Sequence, residues 1–295
     1  MATTDALSPA VAGYRVRREA RIRRALRSRP WWQPVIVFII LIGIWYLIAL
    51  YYDKVQQLSF LVPYPLQVFQ VVFVPDALLK PGQYAPDPSF ASGLLDGLVR
   101  TSTVALTGLA IAIVIGVLWA VLMSQAKWVE ASLFPYAVIL QCVPVLALVP
   151  LIGSLFGFEF NSRVIVTVMI SIFPMVSNTL FGLQSADVGQ RELFTLQGAG
   201  RWTTLTKLQF PAALPSIFVG LRTAAGLSVI GAIVGDQFFQ RGTPGLGVLI
   251  YISNSRLNGP GTFAAIITAS LLGVVVFLLF GWIGRRAIGK WYDFG

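Results

Sequence analysis

Six stretches of about 20 apolar residues recur along the chain, at approximately 35–52, 96–123, 133–156, 163–184, 215–238 and 261–284. Each is mostly Val, Ile, Leu, Phe, Ala and Gly. At 1.5 Å per residue, a run of this length crosses a hydrocarbon core of ~30 Å. Lipid offers the backbone no hydrogen-bond partner, so only helices and closed barrels can cross it. No strand-length alternation stands out, which argues against a barrel. The expected fold is therefore an all-α integral membrane protein with six transmembrane helices. Composition agrees. The chain is 56% apolar and 12% charged, with mean hydropathy +0.77, whereas soluble domains carry about 25% charged residues.

The bases set an orientation. Eight arginines and one glutamate crowd "YRVRREARIRRALRSRPWWQP", just before the first span. Segments rich in Arg and Lys stay on the cytoplasmic side, so the N-terminus is expected inside. Fifteen of the 22 bases then lie inside: the N-terminal eight with Lys127, Arg191, Arg201, Lys207, Arg285, Arg286 and Lys290. Lys54, Lys80, Arg241 and Arg256 fall outside, and Arg163 falls at a boundary. Six spans return the tail, 285–295, to the inside. The first apolar run is too long for a signal-peptide core and lacks a following cleavage pattern, so it is expected to be retained. In the basic segment 1–34, Val16, Ala20, Ala25 and Leu26 suggest an amphipathic lead-in helix, with Trp31 and Trp32 at headgroup level. A disordered basic tail is the alternative. The net charge of +10 sits beside apolar spans, which points to a lipid surface rather than nucleic acid. Cys142 is the one cysteine, so no internal disulfide forms.

Two outside segments are long. Residues 53–95 hold "LVPYP" and a Pro-rich stretch, with a short helix expected at Leu66–Val74. The second, "QRGTPGLGVLIYISNSRLNGPG", has an apolar centre too short to span, so an interfacial or re-entrant helix is expected. Both can face an extracytoplasmic partner or simply connect. Pro135, Pro144 and Pro150 fall in or beside span three, and Pro174 in span four; each removes an amide donor and kinks its helix. Gly231 and Gly235 form a G-x-x-x-G suited to close helix contact.

Enzyme chemistry finds no support. There is no His, the acids are dispersed, and the lone Cys has no partner for a metal. "GRRAIGKW" at 284–291 nearly fits a phosphate-binding loop, but it ends in Trp, and neither a preceding strand nor a following helix is in place. The charges within or at the ends of spans are Asp96, Arg100, Arg222 and Asp236. Charges placed there face protein or water. Arg100 and Asp236 are candidates for an ion pair across spans two and five, and Arg222 for snorkelling toward phosphates. Gln141, Ser171, Asn178, Ser228 and Asp236 are candidate passage-lining residues, or bond between helices. Phe238 and Phe239 are candidates either for an aromatic cargo or for the interfacial belt.

Between spans four and five lies a polar loop, 185–214, on the expected cytoplasmic side. Its stretch "ELFTLQGAGRWTTLTKLQFPAALP" spaces Glu192, Gly198 and Pro211 in a way that resembles the cytoplasmic loop of binding-protein-dependent ABC importer permeases, E-A-A-x-x-x-G-x9-I-x-L-P. Glu192, Gly198 and Pro211 match. Leu208 stands for Ile, Phe210 for Leu, and Leu193-Phe194 for the two alanines. The continuation to Leu227, with "LVPYP" and "PGLG" at 244–247, is similar to the nitrate, sulfonate, taurine and bicarbonate branch. The resemblance runs from about 60 to 290.

The residues also argue for a docking loop. Glu192 near a helix start suits the positive end of the dipole, and Gly198 and Gly200 permit a sharp turn. Arg201 and Trp202 would open a second helix, and Pro211 and Pro215 would mark membrane re-entry. Leu193, Phe194 and Leu196 form an apolar side in need of a partner. The resemblance implies a permease like those of type I ABC importers, in a bacterial inner membrane, with no cofactor of its own. Glu192, Leu193, Phe194, Gln197, Gly198, Gly200, Arg201, Trp202 and Pro211 would couple it to a separate ATPase that binds ATP and Mg. A binding protein would dock outside, and the permease would pair as a homodimer. The implied cargo is a small anion or organic acid such as nitrate, sulfonate, taurine or bicarbonate. The alternatives are a vitamin precursor such as a thiamine pyrimidine or riboflavin, or, in another class, an ATP-independent secondary transporter or channel.

Overall fold

A computed structural model describes residues 32–58, 60–73 and 88–289. The expected lead-in helix with Val16, Ala20, Ala25, Leu26 and Trp31 lies outside the described residues, as do Lys80 and the tail from Lys290. The described residues contain helices and turns and no strand. The chain divides into two compact units, with the boundary in the sequence between Pro65 and Leu66.

In the first unit, α1 (Trp32–Lys54) is apolar on every side and buries only Ala49. Such a helix suits a lipid surround. The "LVPYP" segment folds back on its end. Trp45 Nε1 donates to the Pro63 carbonyl at 3.1 Å, and the Tyr64 hydroxyl donates to Asp53 Oδ2 at 3.0 Å. The Tyr46 and Tyr64 rings lie 5.2 Å apart.

The second unit begins with α2 (Pro65–Phe73), where the sequence predicts a short helix. Then come α3 (Pro88–Ser124), α4 (Lys127–Cys142), α5 (Val145–Phe156) and α6 (Phe160–Gln184). The loop carries α7 (Val188–Leu196) and α8 (Arg201–Thr204). A π-helical turn, Leu205–Gln209, joins α8 to α9 (Phe210–Phe238). The unit ends with α10 (Leu246–Ser255) and α11 (Gly259–Ile288). Five of the described helices, α11 and α1 among them, are long and apolar enough to cross a membrane, or six spans if α4 and α5 count as one.

Small residues set the packing. On α9, a Cβ at Gly231 would lie 2.8 Å from Thr167 Cα, and one at Gly235 would lie 3.0 Å from Arg163 Cα. The G-x-x-x-G thus rides on two residues one turn apart on α6. From the other side, Gly108 of α3 meets the same Thr167 side chain, and Gly116 meets Met175 Cβ at 2.7 Å. Helix α6 is therefore clasped between α3 and α9, with Val166, Thr167, Ser171 and Val176 fully buried. Lipid tails are as apolar as these side chains, so close backbone approach, not hydrophobic burial, holds such helices together.

Two prolines, at 144 and 211, have opposite effects on the spans. The stretch read as span three, 133–156, bends by 94° between α4 and α5. Val143 is extended at φ −64, ψ 126, and Pro144 follows. The ring of a proline disfavours the helical conformation at the residue before it, and a proline has no amide to continue the ladder. The opposite happens at Pro211, expected to mark re-entry. Helix runs without interruption from Arg201 to Phe238. The Phe210 amide donates to the Leu205 carbonyl five residues back, and this widened turn makes room for the proline that follows. The short apolar centre of the second outside segment forms α10, with Leu246, Gly247, Val248 and Ser253 buried.

Candidate functional site

Two assemblies concentrate the polar chemistry, one in the loop between α6 and α9 and one at the opposite end of the same helices.

In the loop, Asp187 starts α7. Its side chain accepts from the amides of Gly189 at 2.8 Å and Gln190 at 3.3 Å. This places Asp187, not Glu192, at the positive end of the helix dipole. Glu192 is the fifth residue of α7 and is exposed, which corrects the expectation from sequence. Gly198 ends the helix with φ +68. Its amide donates to the Thr195 carbonyl and the Ala199 amide to the Phe194 carbonyl, each at 3.0 Å. This pair of bonds is a Schellman motif, which needs a left-handed residue at that position. Gly200 then serves as N-cap of α8, so Arg201 and Trp202 do open a helix; that helix is the first turn of the long α8–α9 rod.

The outer side of this loop has no cover among the described residues. Leu196 is 86% exposed and Trp202 is 74% exposed. Val188, Leu193, Glu192, Gln197 and Arg201 are exposed as well, and Phe194 is half-buried. Arg191 holds the other side down. Its Nη2 donates to the carbonyls of Leu183 at 3.2 Å and Gln184 at 2.7 Å. These are orphan carbonyls at the C-terminus of α6, where a cation is favoured. Gln184 Nε2 in turn donates to Glu130 Oε2 of α4 at 2.8 Å. Sequence reading treated Arg191 as a charge marking the inside; its clamp on α6 needed the fold.

At the far end, Asp236 pairs with Arg163, not with Arg100. Arg163 Nη1 lies 2.9 Å from Asp236 Oδ1, and both side chains are buried. The Thr101 hydroxyl donates to Asp236 Oδ2 at 2.7 Å and accepts from the Leu246 amide at 2.9 Å. Arg163 also donates to three carbonyls of the segment after α9: Phe239 at 2.7 Å, Arg241 at 2.8 Å and Thr243 at 3.0 Å. The glycines of "PGLG" fit this lock. A Cβ on Gly245 would collide with the Asp236 carboxylate, and one on Gly247 would lie 2.6 Å from Asp236 Cβ. Arg100 lines a polar pocket of about 530 Å³ beside the lock, together with Asp96, Glu159, Arg163 and Arg241.

The other candidates are spread through the unit. Ser171 and Ser228 are fully buried and donate to carbonyls of their own helices, Thr167 and Ala225. Asn178 Nδ2 donates to the Pro174 carbonyl at 2.9 Å. Gln141 is exposed near the end of α4. The neighbouring phenylalanines part company: Phe238 is exposed, whereas Phe239 is buried against Phe158, ring centres 6.1 Å apart. Arg222 stacks over the Phe277 ring with its guanidinium carbon 4.0 Å from the centroid.

Known proteins bring this arrangement into a family. Residues 112–289 match the family described as binding-protein-dependent transport system inner membrane component. The chain is 33% identical over 246 residues to the formylaminopyrimidine transport permease protein ThiX of Halalkalibacterium halodurans, covering 83% of this chain and 90% of that protein. It is 34% identical over 168 residues to the riboflavin transport system permease protein RibX of Chloroflexus aurantiacus, covering 57% and 62%. It is 29% identical over 259 residues to the nitrate import permease protein NrtB of Leptolyngbya laminosa, covering 86% of each. A crystal structure of an amino acid ABC transporter with histidines shares the fold at TM-score 0.53 and 21% identity, over 67% of this chain and 95% of that one. The chain belongs to the binding-protein-dependent transport system inner membrane components, the multi-pass permeases of ABC importers.

Proposed function

We propose that the chain is the passage-forming subunit of an importer for a small heterocyclic vitamin precursor, of the formylaminopyrimidine or flavin kind. The observation that carries the coupling role is the α7–α8 loop: a capped, Schellman-ended helix clamped to α6 on one side and bare on the other. Such a bare apolar face fits a groove on a cytoplasmic ATP-binding subunit, which would hold ATP and Mg. Glu192, Leu193, Phe194, Gln197, Gly198, Gly200, Arg201 and Trp202 are the proposed coupling residues, with Pro211 shaping the turn behind them. A second copy of the chain completes the passage, both termini lie in the cytoplasm, and a binding protein delivers cargo from outside. Gln141, Asn178 and Phe238 are the side chains we place nearest the passage.

The cargo reading rests on the relatives. The formylaminopyrimidine and riboflavin permeases match at 33% and 34% identity, against 29% for the nitrate permease. The small-anion reading, which the sequence motifs favour, remains the second one, because the nitrate permease matches along 86% of both chains. Calorimetry on the binding protein that functions with this permease separates them. Binding of an aminopyrimidine or a flavin, with no heat from nitrate or bicarbonate, is the expected result; the reverse pattern removes the heterocycle reading.

A further inference from the structure

Arg222 belongs to neither assembly. It lies twelve residues into α9 and is half-buried. Its guanidinium stacks on Phe277 of α11 and its Nε lies against Gly281, where an added Cβ would come within 3.3 Å. No carboxylate or carbonyl partners it among the described residues, and its Nε is buried without an acceptor. Stacking on an aromatic ring offsets part of the cost of a cation in such a place, but leaves its hydrogen-bonding edges unspent. An arginine at membrane depth normally meets an acid, a carbonyl or a phosphate.

The depth of this cation is set by α11. Gly281 precedes Arg285 by about one helical turn and Phe277 by about two, which is ~6 to ~12 Å. Arg285 and Arg286 end that helix on the side of the coupling loop. With Arg285 and Arg286 taken to lie at headgroup level, where cations at a span end reach water, Arg222 falls just inside it. Beside Arg222, starting at the adjacent Thr223 and at the Phe277 ring on which it stacks, a groove of about 690 Å³ runs away from the coupling loop between α9 and α11, walled by Thr223, Gly226, Ile230, Ser270, Gly273 and Phe277. Both hydroxyls on this wall donate to carbonyls of their own helices, so the wall is apolar. Its α9 side extends from Thr223 to Val234, about 17 Å at 1.5 Å per residue.

We propose that this groove with Arg222 at its end is a binding site for an anionic phospholipid of the leaflet on the coupling-loop side. The phosphate sits on the guanidinium and one acyl chain fills the groove. The polarity is right: charge lies at headgroup depth and the apolar slot points toward the membrane centre, as a lipid of that leaflet is oriented. Gly226 and Gly273 keep the slot open. A Cβ on either would have a nearest neighbour at only 3.7 or 3.8 Å, so backbone packing does not require glycine there.

The test uses the full-length chain in detergent. A phosphatidylglycerol carrying a photoreactive group in its acyl chain should label residues within 223–234 and 266–277. Labelling elsewhere overturns the proposal without any variant. After delipidation, native mass spectrometry should show saturable phosphatidylglycerol binding. Losing a charge-assisted contact should weaken it about tenfold in Arg222→Gln, with Arg222→Lys recovering part. Gly226→Leu should abolish it with the arginine intact. Three results reject the site: unchanged binding in Arg222→Gln, glycerol phosphate competing as well as the lipid, or Arg222→Gln dissociating paired copies of the chain. The second would mean a free-anion site and the third an interface between copies.

Discussion

Gly198 stands in open space; a Cβ there would meet nothing within 4 Å. What a substitution costs is therefore backbone strain at φ +68, about 1–2 kcal/mol for most residues and less for Asn. Gly198→Ala is expected to loosen the end of α7 and reduce co-purification with the ATPase partner, while Gly198→Asn should retain more of it. Side-chain bulk is not the variable, so a graded loss that followed residue size would count against this reading. The neighbouring Leu193 and Phe194 replace the two alanines of the loop pattern, and the fold shows why larger residues fit: both reach solvent and neither is buried in the protomer. At the other end, Asp236→Ala strands the Arg163 guanidinium. Removing one member of a buried pair costs about 3–5 kcal/mol. Thermal unfolding in detergent should show that loss, and Asp236→Asn, which keeps the contact with Thr101, should lose less. The spacing of Glu192, Gly198 and Pro211 made the loop legible. The partner of Asp236 was not, because Arg100 and Arg163 both fall at that level and only their side-chain paths decide.

Among the elements, α6 and α9 work as a pair. Glycines at 220, 231 and 235 bring their backbones together, the Arg163–Asp236 pair ties one end, and the loop carrying α7 joins the other. Arg191 adds a strut from α7 onto the end of α6. Arg191→Gln should therefore speed hydrogen exchange of the amides of 188–199 and leave the buried middle of α6, around Val166 to Val176, unchanged. Equal acceleration in both would mean that Arg191 supports the whole fold rather than the loop. From sequence Pro144 reads as a kink and Pro211 as the mark of membrane re-entry, and the two have different outcomes here. Pro144 breaks its helix by 94°, whereas Pro211 is absorbed in a π turn. Local chemistry is the same in both; the packed surroundings of Leu205 and Leu208, both buried, select a continuous helix at the second.

At the scale of the whole molecule, a permease of this family depends on a separate engine. Uptake by intact cells is expected to vanish with the ATPase partner, and Glu192→Lys, which reverses a charge on the bare face of α7, should uncouple uptake while the permease still reaches the membrane. Transport that survives loss of every ATPase partner would support a channel or secondary carrier instead. The sequence alone determined that this is a helical membrane protein, roughly where its spans lie, and that a polar loop with fixed glycine spacing separates the fourth from the fifth. Those properties follow from solvent: apolar runs of spanning length and a polar interruption with fixed glycine spacing have few other resolutions. Only the tertiary structure decided which arginine meets Asp236, that Asp187 caps α7, that α4 and α5 part at right angles, and that Arg222 stacks on Phe277 of α11. The contacts of Asp236 and Arg222 join residues far apart in the chain and are set by how closely glycine lets neighbouring helices approach, whereas the Asp187 cap and the break at Pro144 are local choices among conformations the sequence left open.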